Sequence, residues 1–319
     1  MYVGTVRELW RFPVKSMAGE RVDATEVGGR GVHGDRLWAV RDQDSGVITH
    51  AKRLPALLRC AARFVVEPPA DVGPGTIPAV VITLPDGAEV RSDDPTVHDR
   101  LSTLVGRRVT LVPLRPASDK DHFRAGKANA DDMRHDFAIA DGEPLPDFSM
   151  MPLATLLELG RYATPPGTYF DAAALHVITT ASLDALRAHA PPGVDLDVRR
   201  FRANVVVDAA GEPDLLEASW TDGTLTLGGC SARVDCPTPR CAMPTRAQPD
   251  LPADPRVLRT IVDHAERCLG AYATVARPGR IAVGDEVAFD APRTSRVGDW
   301  ARARATGLKR RLLRAALPK

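Results

Sequence analysis

Apolar positions fall first into short runs broken by turns. "YVGTVRELWRFPV", "RLWAVRDQ", "GVITHAKR", "RCAARFVVE", "AVVITL" and "AEVRSD" are separated by stretches such as "DQDSG" and "PDGAE". Short β-rich runs at such intervals predict strands over the first hundred residues, arranged as a barrel or a sandwich. The pattern turns helical in "DPTVHDRLSTLVG", where Leu101, Leu104 and Val105 share a face and Asp94 or Thr96 stands as a cap. "VTLVPLRPA" predicts a further strand. Ser118 to Pro152 is polar and rich in Asp, Arg and Pro, which predicts a long surface loop, functional or mobile. "ATLLELGRYA" predicts a helix, and "ALHVITTASLDALRAHAPPG" a strand, a capped turn and a helix. "RRFRANVVVDAAG" predicts a strand with a polar start, and "TLTLGGCSARVDC" a hairpin. "PADPRVLRTIVDHAERCLG" has the period of an amphipathic helix with Cys268 on its apolar side, and "AYATVARPGRIAVGDEVAF" closes with two strands and a turn. Between these lies "RVDCPTPRCAMPTR", Arg233 to Arg246, with three prolines in eight residues. That density forbids a helix and predicts a rigid loop.

Composition adds bounds. At 319 residues, 44% apolar and 26% charged, the chain suits two modest soluble domains. A net charge of +1 excludes a molecule built as a whole to attract nucleic acid. No apolar run has the length of a membrane span, and the first residues lack a secretory pattern. Five scattered cysteines (Cys60, Cys230, Cys236, Cys241 and Cys268) include no C-x-x-C pair. That argues against a disulfide scaffold and a structural zinc, and predicts a reducing, cytoplasmic setting. The tail is different: within 291–319 every charged side chain except Asp299 is basic, and Trp300, Leu308 and Leu312 recur at helical spacing. It is either a solvated helix packed by its own stripe or a contact for an acidic partner or an anionic membrane surface.

Four polar stretches fall at the ends of predicted strands. "PVKSMAG" supplies Lys15 and Ser16, "GVHGDRLW" supplies Asp35 and Arg36, "RFRANVVV" supplies Arg202 and Asn204, and "TPRC" supplies Arg240 and Cys241. Strand ends hold side chains firmly and still expose them. Brought together, Lys15, Arg36, Arg202 and Arg240 would form a pocket for phosphate or another anion. "TTASLDAL" adds Thr179 or Thr180 at a helix N-terminus, with Ser182 one turn in. Cys241 stands on the proline-dense stretch with the Arg240 guanidinium beside it, which favours the thiolate. Thiolate is the form that ligates a soft or high-valent metal, and one cysteine would need a cofactor to complete the coordination. His33, His50 and His176 lack metal-ligand spacing and read as ordinary histidines. Lys52 and Arg53 line either a substrate mouth or a solvated strand edge.

These stretches, in this order, carry a resemblance. With "FPVKSMAGERV", "GDRLWAVRDQDSGVITHAKRLPALL", "HVITTASLDAL", "FRANVVVD", "PRCAMPT" and "GAYATVARPGRIAVGDEV", the chain over roughly residues 1–290 resembles the MOSC-domain superfamily. Within it, the chain looks similar to the branch with an N-terminal MOSC-type β-barrel domain, which includes the mitochondrial amidoxime-reducing components and their bacterial relatives. The family usually has Pro where Ala203 stands. The resemblance implies a β-rich α+β fold, with an N-terminal β-barrel domain over about 1–105 packed with a MOSC β-barrel domain over about 115–290. It implies a molybdenum cofactor (molybdopterin, mononucleotide form) with Cys241 as metal ligand and catalytic residue. Lys15, Ser16, Arg36, Arg202, Asn204 and Arg240 fall on the family's cofactor-binding positions, and Ser182 is a looser match. The activity implied is an oxidoreductase that reduces N-hydroxylated compounds (amidoximes, hydroxylamines, N-hydroxylated bases) to amines. The alternative is a cofactor carrier or sulfur-transfer protein; no pyridoxal-phosphate module is recognisable for the latter. Thr238 stands where the amidoxime reducers often carry a second cysteine. The C-x₄-C-x₂-C run of iron–sulfur relatives is missing, so electrons are expected from an external donor such as a ferredoxin, flavodoxin or flavin reductase. No nucleic-acid partner is implied.

Overall fold

The structure, a computed structural model, describes residues 1–126 and 129–292. From residue 293 onward the basic tail lies outside the described residues. The chain runs through β1 (Tyr2–Arg11), β2 (Glu20–Val22), β3 (Ala24–Gly28), β4 (Gly31–Val32), β5 (Trp38–Asp42), β6 (Ala61–Phe64), β7 (Val80–Thr83), β8 (Glu89–Arg91), α1 (Val97–Val105) and β9 (Val109–Pro113). Helices α2 (Ala130–Phe137) and α3 (Leu153–Leu159) follow. Then come β10 (Leu175–Thr179), α4 (Thr180–Arg187), β11 (Val205–Ala209), β12 (Thr224–Leu227), β13 (Cys230–Pro239), α5 (Arg256–His264), β14 (Cys268–Arg277), β15 (Gly279–Ala282) and β16 (Glu286–Asp290).

The fold is a β-rich α+β arrangement whose centre is a closed seven-stranded barrel in the order β11-β10-β14-β13-β12-β16-β1, sealed by β1 against β11. Six of its strands come from the second half of the chain; β1 comes from the first and so crosses the boundary read near residues 105–115. Its register, Leu9 opposite Val205 and Gly4 opposite Ala209, places Val3, Val6 and Leu9 in the barrel core with Leu175, Val177, Val205 and Val207. Alternation along β11 follows the pleat: Val205 and Val207 face the barrel, while Val206 packs outward against α4 and α5 through Leu183, Leu186, Val257 and Ile261. β10 and β11 are parallel, and α4 is their crossover. A second core, around Leu37, Leu57, Ile82, Leu101 and Phe123, gathers the small sheets β5–β9 and β6–β7–β8 with α1.

Several elements depart from the sequence reading. The proline-dense stretch is not wholly loop: β13 continues through Cys236-Pro237-Thr238-Pro239, paired with β14. Register shifts at Val234/Cys236 and Pro237/Pro239 interrupt the ladder, where prolines without an N–H are tolerated. The loop predicted over 118–152 contains α2, started by a capping box in which Asn129 accepts from the Asp132 amide and Asp132 accepts from Asn129. Cys268 opens β14 rather than lying on α5. That helix stops at His264, and Glu266 and Arg267 then take positive φ of 48° and 66°. "GVITHAKR" forms no strand; it is held by an isolated bridge from Ile48 to Arg41.

Candidate functional site

Backbone hydrogen bonds stitch the separate polar stretches into one place. The Phe12 amide donates to the Asp35 carboxylate (2.8 Å), and the Arg36 amide donates to the Phe12 carbonyl (2.8 Å). Trp38 N–H reaches Pro13 O and Lys15 N–H reaches Trp38 O, so the "FPVKS" turn lies along the "DRLW" segment that leads into β5. The guanidinium of Arg202 donates to Met17 O and sits over the Phe12 ring, 4.2 Å from its centroid; that of Arg36 lies 5.1 Å from the same centroid. Arg240 donates to Phe201 O (3.0 Å), bringing the end of β13 onto the segment that leads into β11. The Ser16 hydroxyl accepts from the Ala51 amide (2.9 Å), which draws in the loop carrying His50 and Lys52. Ser16, Arg36 and Arg202 all hold left-handed backbone, with φ of 71°, 50° and 55°. For side-chain-bearing residues this costs about 1–2 kcal/mol each and is met mainly where the surroundings fix it for a purpose.

Lys15, Arg36, Arg202 and Arg240 thus meet in the interior, where Arg202 is 6% and Arg240 7% exposed. The anions beside them are Asp35, paired with Arg36, and Asp171, paired with Lys15. Burial pushes Arg202 down to about 9, and the neighbouring Arg36 adds to the push. Burial also lowers Arg240 and Lys15, Asp171 opposing it for Lys15. Burial works to raise the Asp171 carboxyl, but Lys15, Lys52 and Arg36 outweigh it and hold the group well below the ordinary range. Within the cradle Nη2 of Arg202 and Nε of Arg240 are buried without a hydrogen-bond partner, and Nδ1 of His50 on the adjoining loop is likewise unpartnered. Buried donors are nearly always satisfied, so this cradle fits a group bearing anionic or acceptor atoms.

Beside the cluster opens a cavity of about 920 Å³ whose wall includes Cys241, Pro239, Tyr272 and Asp171. Cys241 lies two residues past the end of β13 and packs on Ala51, Leu58 and Met243, which fix its place in the wall. Lys52 and Arg53 also line this cavity. Among the described residues no group of three His, Cys, Asp or Glu side chains could cage a metal; a metal at Cys241 would draw its other ligands from a cofactor. By contrast Cys60 and Cys230 are core residues, with burial pushing Cys60 up to about 12.

Two residues named from sequence stand apart from the cradle. Ser182 does not join it: its hydroxyl donates to Glu217 and to Asp214 O, and Glu217 also accepts from the Thr179 amide. The N-terminus of α4 therefore already holds a carboxyl from this chain, buried to 2% exposure and raised by that burial. Asn204 is a staple behind the cluster. It accepts from the His176 amide (3.2 Å) and donates to Trp10 O (3.3 Å), tying β10 to β1. Sequence reasoning missed Asp171, Phe12 and Tyr272, and read His176 as an ordinary histidine. His176 is buried edge-on to Tyr272 with Nε2 3.5 Å from Arg240, and burial, then Arg240, keeps it neutral. No motif spacing marks these four; only a polar residue beside an apolar run, as in "YFDAAALHVI", hints at them.

The family model of the MOSC N-terminal beta barrel domain matches residues 3–99, and that of the MOSC domain matches residues 164–288. The mouse (Mus musculus) protein mitochondrial amidoxime-reducing component 1 is 23% identical over 89% of this chain and 82% of its own length. Among solved structures, the YuaD protein of Bacillus subtilis is 13% identical and superposes with a TM-score of 0.42 over 92% of this chain and all of that one. YiiM of Geobacillus stearothermophilus is 14% identical, with a TM-score of 0.29 over 37% of this chain and 54% of that one. No helix among the described residues is long and apolar enough to cross a membrane. With both family models matched in order along one chain, this is a MOSC-domain protein with an N-terminal MOSC beta barrel domain.

Proposed function

We propose that this protein is a molybdenum-cofactor-dependent oxidoreductase that reduces N-hydroxylated compounds, amidoximes and hydroxylamines among them, to the amine or amidine and water with electrons from a separate donor protein. The observation that carries the reading is the orphaned N–H groups of Arg202 and Arg240 in a buried cationic cradle, beside a cavity with Cys241 in its wall. The mouse relative, named for amidoxime reduction, supports the reaction class.

Cys241 would supply a thiolate ligand to the metal; Arg202, Arg240, Arg36, Lys15 and Ser16 would hold the anionic and polar atoms of the cofactor. When bound, the group supplies the two-electron chemistry that, with two protons, takes the oxygen of an N–OH to water. The chain's own residues orient and shield. Phe12 spaces the guanidiniums of Arg36 and Arg202, and the left-handed residues fix their directions. Asp171 keeps its charge through Lys15, so at neutral pH it accepts a hydrogen bond at the cavity wall rather than giving a proton.

The test is metal content of wild type and Cys241→Ser from a host that makes the cofactor. Stoichiometric molybdenum and pterin in wild type, loss of molybdenum in the variant at an unchanged melting temperature, and wild-type turnover of an amidoxime with a chemical reductant are expected. A wild-type protein that carries neither molybdenum nor pterin would overturn the reading. A loaded protein that hands its cofactor to an apo-enzyme and never turns over would mark a carrier.

A further inference from the structure

The cavity is larger than an N-hydroxyl head group needs, and its walls are unequal. Each ionised side chain on it already has a partner within the chain. Asp42 pairs with Arg107, Asp136 with Arg53 (3.1 Å) and Lys52 (3.7 Å), and Asp171 with Lys15, while Asp147 accepts from the Ser149 amide (2.9 Å). His50 is held neutral by burial and by Lys52. Beside the unpartnered Nδ1 of His50, what the wall leaves for a ligand is mainly apolar surface, and that surface is contributed largely by one stretch. The segment that begins with α2 and ends past α3 supplies Met133, Phe137, Phe148, Met151, Leu156 and Leu159. Phe137 and Phe148 meet edge to face, 5.2 Å between centroids.

This stretch is clipped over the cavity from both sides. Asp132 and Asp136 hold Arg53 on the N-terminal half, Glu143 holds Arg259 of α5, and Arg267 donates to Phe137 O (2.7 Å). The Asp136 carbonyl accepts from the Ala242 amide (2.9 Å), one residue past Cys241. The apolar wall and the candidate metal ligand are therefore held in fixed relation. The cavity's volume, which the metal end of a cofactor at Cys241 would share with the substrate, falls in the range that encloses drug-sized ligands. A substrate of a few polar atoms would leave water against half-buried phenylalanine, methionine and leucine; a hydrocarbon body would displace it.

We propose that the substrate carries an uncharged apolar body, a hydrocarbon chain or an aromatic ring, bound under the 133–159 wall with its reacting end toward Cys241 and Asp171. Phe148 and Leu156 are specificity-determining residues. The inference rests on the proposed function for the reacting group only; the apolar site stands on its own geometry.

The experiment uses straight-chain amidoximes from acetamidoxime to decanamidoxime with the holoenzyme. Binding is read by calorimetry without reductant, and turnover with reduced methyl viologen as donor. Kd should tighten about fourfold per added methylene until the chain fills the cavity. KM should follow Kd while kcat stays level. Phe148→Ala should weaken decanamidoxime about tenfold and acetamidoxime far less, the loss growing with chain length. Leu156→Ser is the second variant, should Phe148→Ala fail to fold. Dissociation constants flat across the series, or variant losses independent of chain length, would overturn the proposal. Turnover with no chain dependence leaves the reductase reading standing and removes this one. Chain-dependent binding with no turnover does the reverse.

Discussion

Lys15 and Asp171 form an ion pair whose halves are not equally dispensable. The Lys15 side chain is 3% exposed, whereas that of Asp171 is 45% exposed toward the cavity. Removing the carboxylate strands a buried ammonium that keeps only the Tyr169 carbonyl at 3.2 Å; removing the ammonium leaves a carboxylate that water reaches. Breaking a fully buried pair costs about 3–5 kcal/mol, and the open side of Asp171 screens part of this. Asp171→Asn should therefore cost about 1–3 kcal/mol by denaturant unfolding at pH 7, and Lys15→Met less than half as much. The pH dependence has a definite sign. The folded-state pKa of Asp171 lies below its unfolded value, so its contribution is complete above the ordinary aspartate range near 4 and fades as pH falls below it. The gap between wild type and Asp171→Asn should hold from pH 8 to about 5 and narrow under more acid conditions; a gap that widens in acid would contradict the assignment.

The seam of the barrel depends on the smallest side chain in β1. A Cβ on Gly4 would sit 2.0 Å from the Asp208 carbonyl oxygen across the β1–β11 pairing, and the same residue also pairs with Val287 of β16. Gly4→Ala must push two strands apart and should cost about 2–4 kcal/mol. Gly28→Ala, with nothing within 4 Å, should stay within about 0.5 kcal/mol in the same unfolding measurement. Which elements were legible in the sequence follows the same physics. Most strands and helices α1, α3, α4 and α5 were readable because their periodicity is local. β13 was not, because prolines that usually end a strand sit here at register shifts where no N–H is needed. α2 was hidden in a polar stretch although Asn129 and Asp132 stand at capping-box spacing; its apolar side chains face a cavity rather than a core and leave no clean amphipathic stripe. The left-handed pair Glu266 and Arg267 carried Cys268 off a helix that the pattern had extended too far.

The site was legible as parts and not as an assembly. Lys15, Arg36, Arg202 and Arg240 could be named because each stands at a predicted strand end, but only tertiary contacts place Arg36 and Arg202 over Phe12, Arg240 over Phe201 and Lys15 on Asp171. Tertiary hydrogen bonds exclude Ser182, whose helix terminus Glu217 fills from a distant turn. Closure of the barrel likewise could not be read from a linear division at 1–105 and 115–290, because β1 bonds to strands of the second half. Met1 donates its amino group to Phe289 O (2.8 Å), Phe289 N–H returns a bond to Met1 O, and Ala210 N–H reaches Val3 O. A fragment of residues 115–292 would keep six barrel strands and lose the seventh, exposing the edges of β11 and β16 and opening the core that Val3, Val6 and Leu9 fill. Open edges of that kind pair with other chains. The fragment should therefore be aggregation-prone and lack a cooperative thermal transition, whereas residues 1–292 should unfold in one. Co-expressing residues 1–114 should restore solubility only if β1 is intact, so Gly4→Ala in that piece should block rescue. A fragment 115–292 that folds cooperatively alone would show that the barrel closes without β1, and would make the linear boundary a boundary in space.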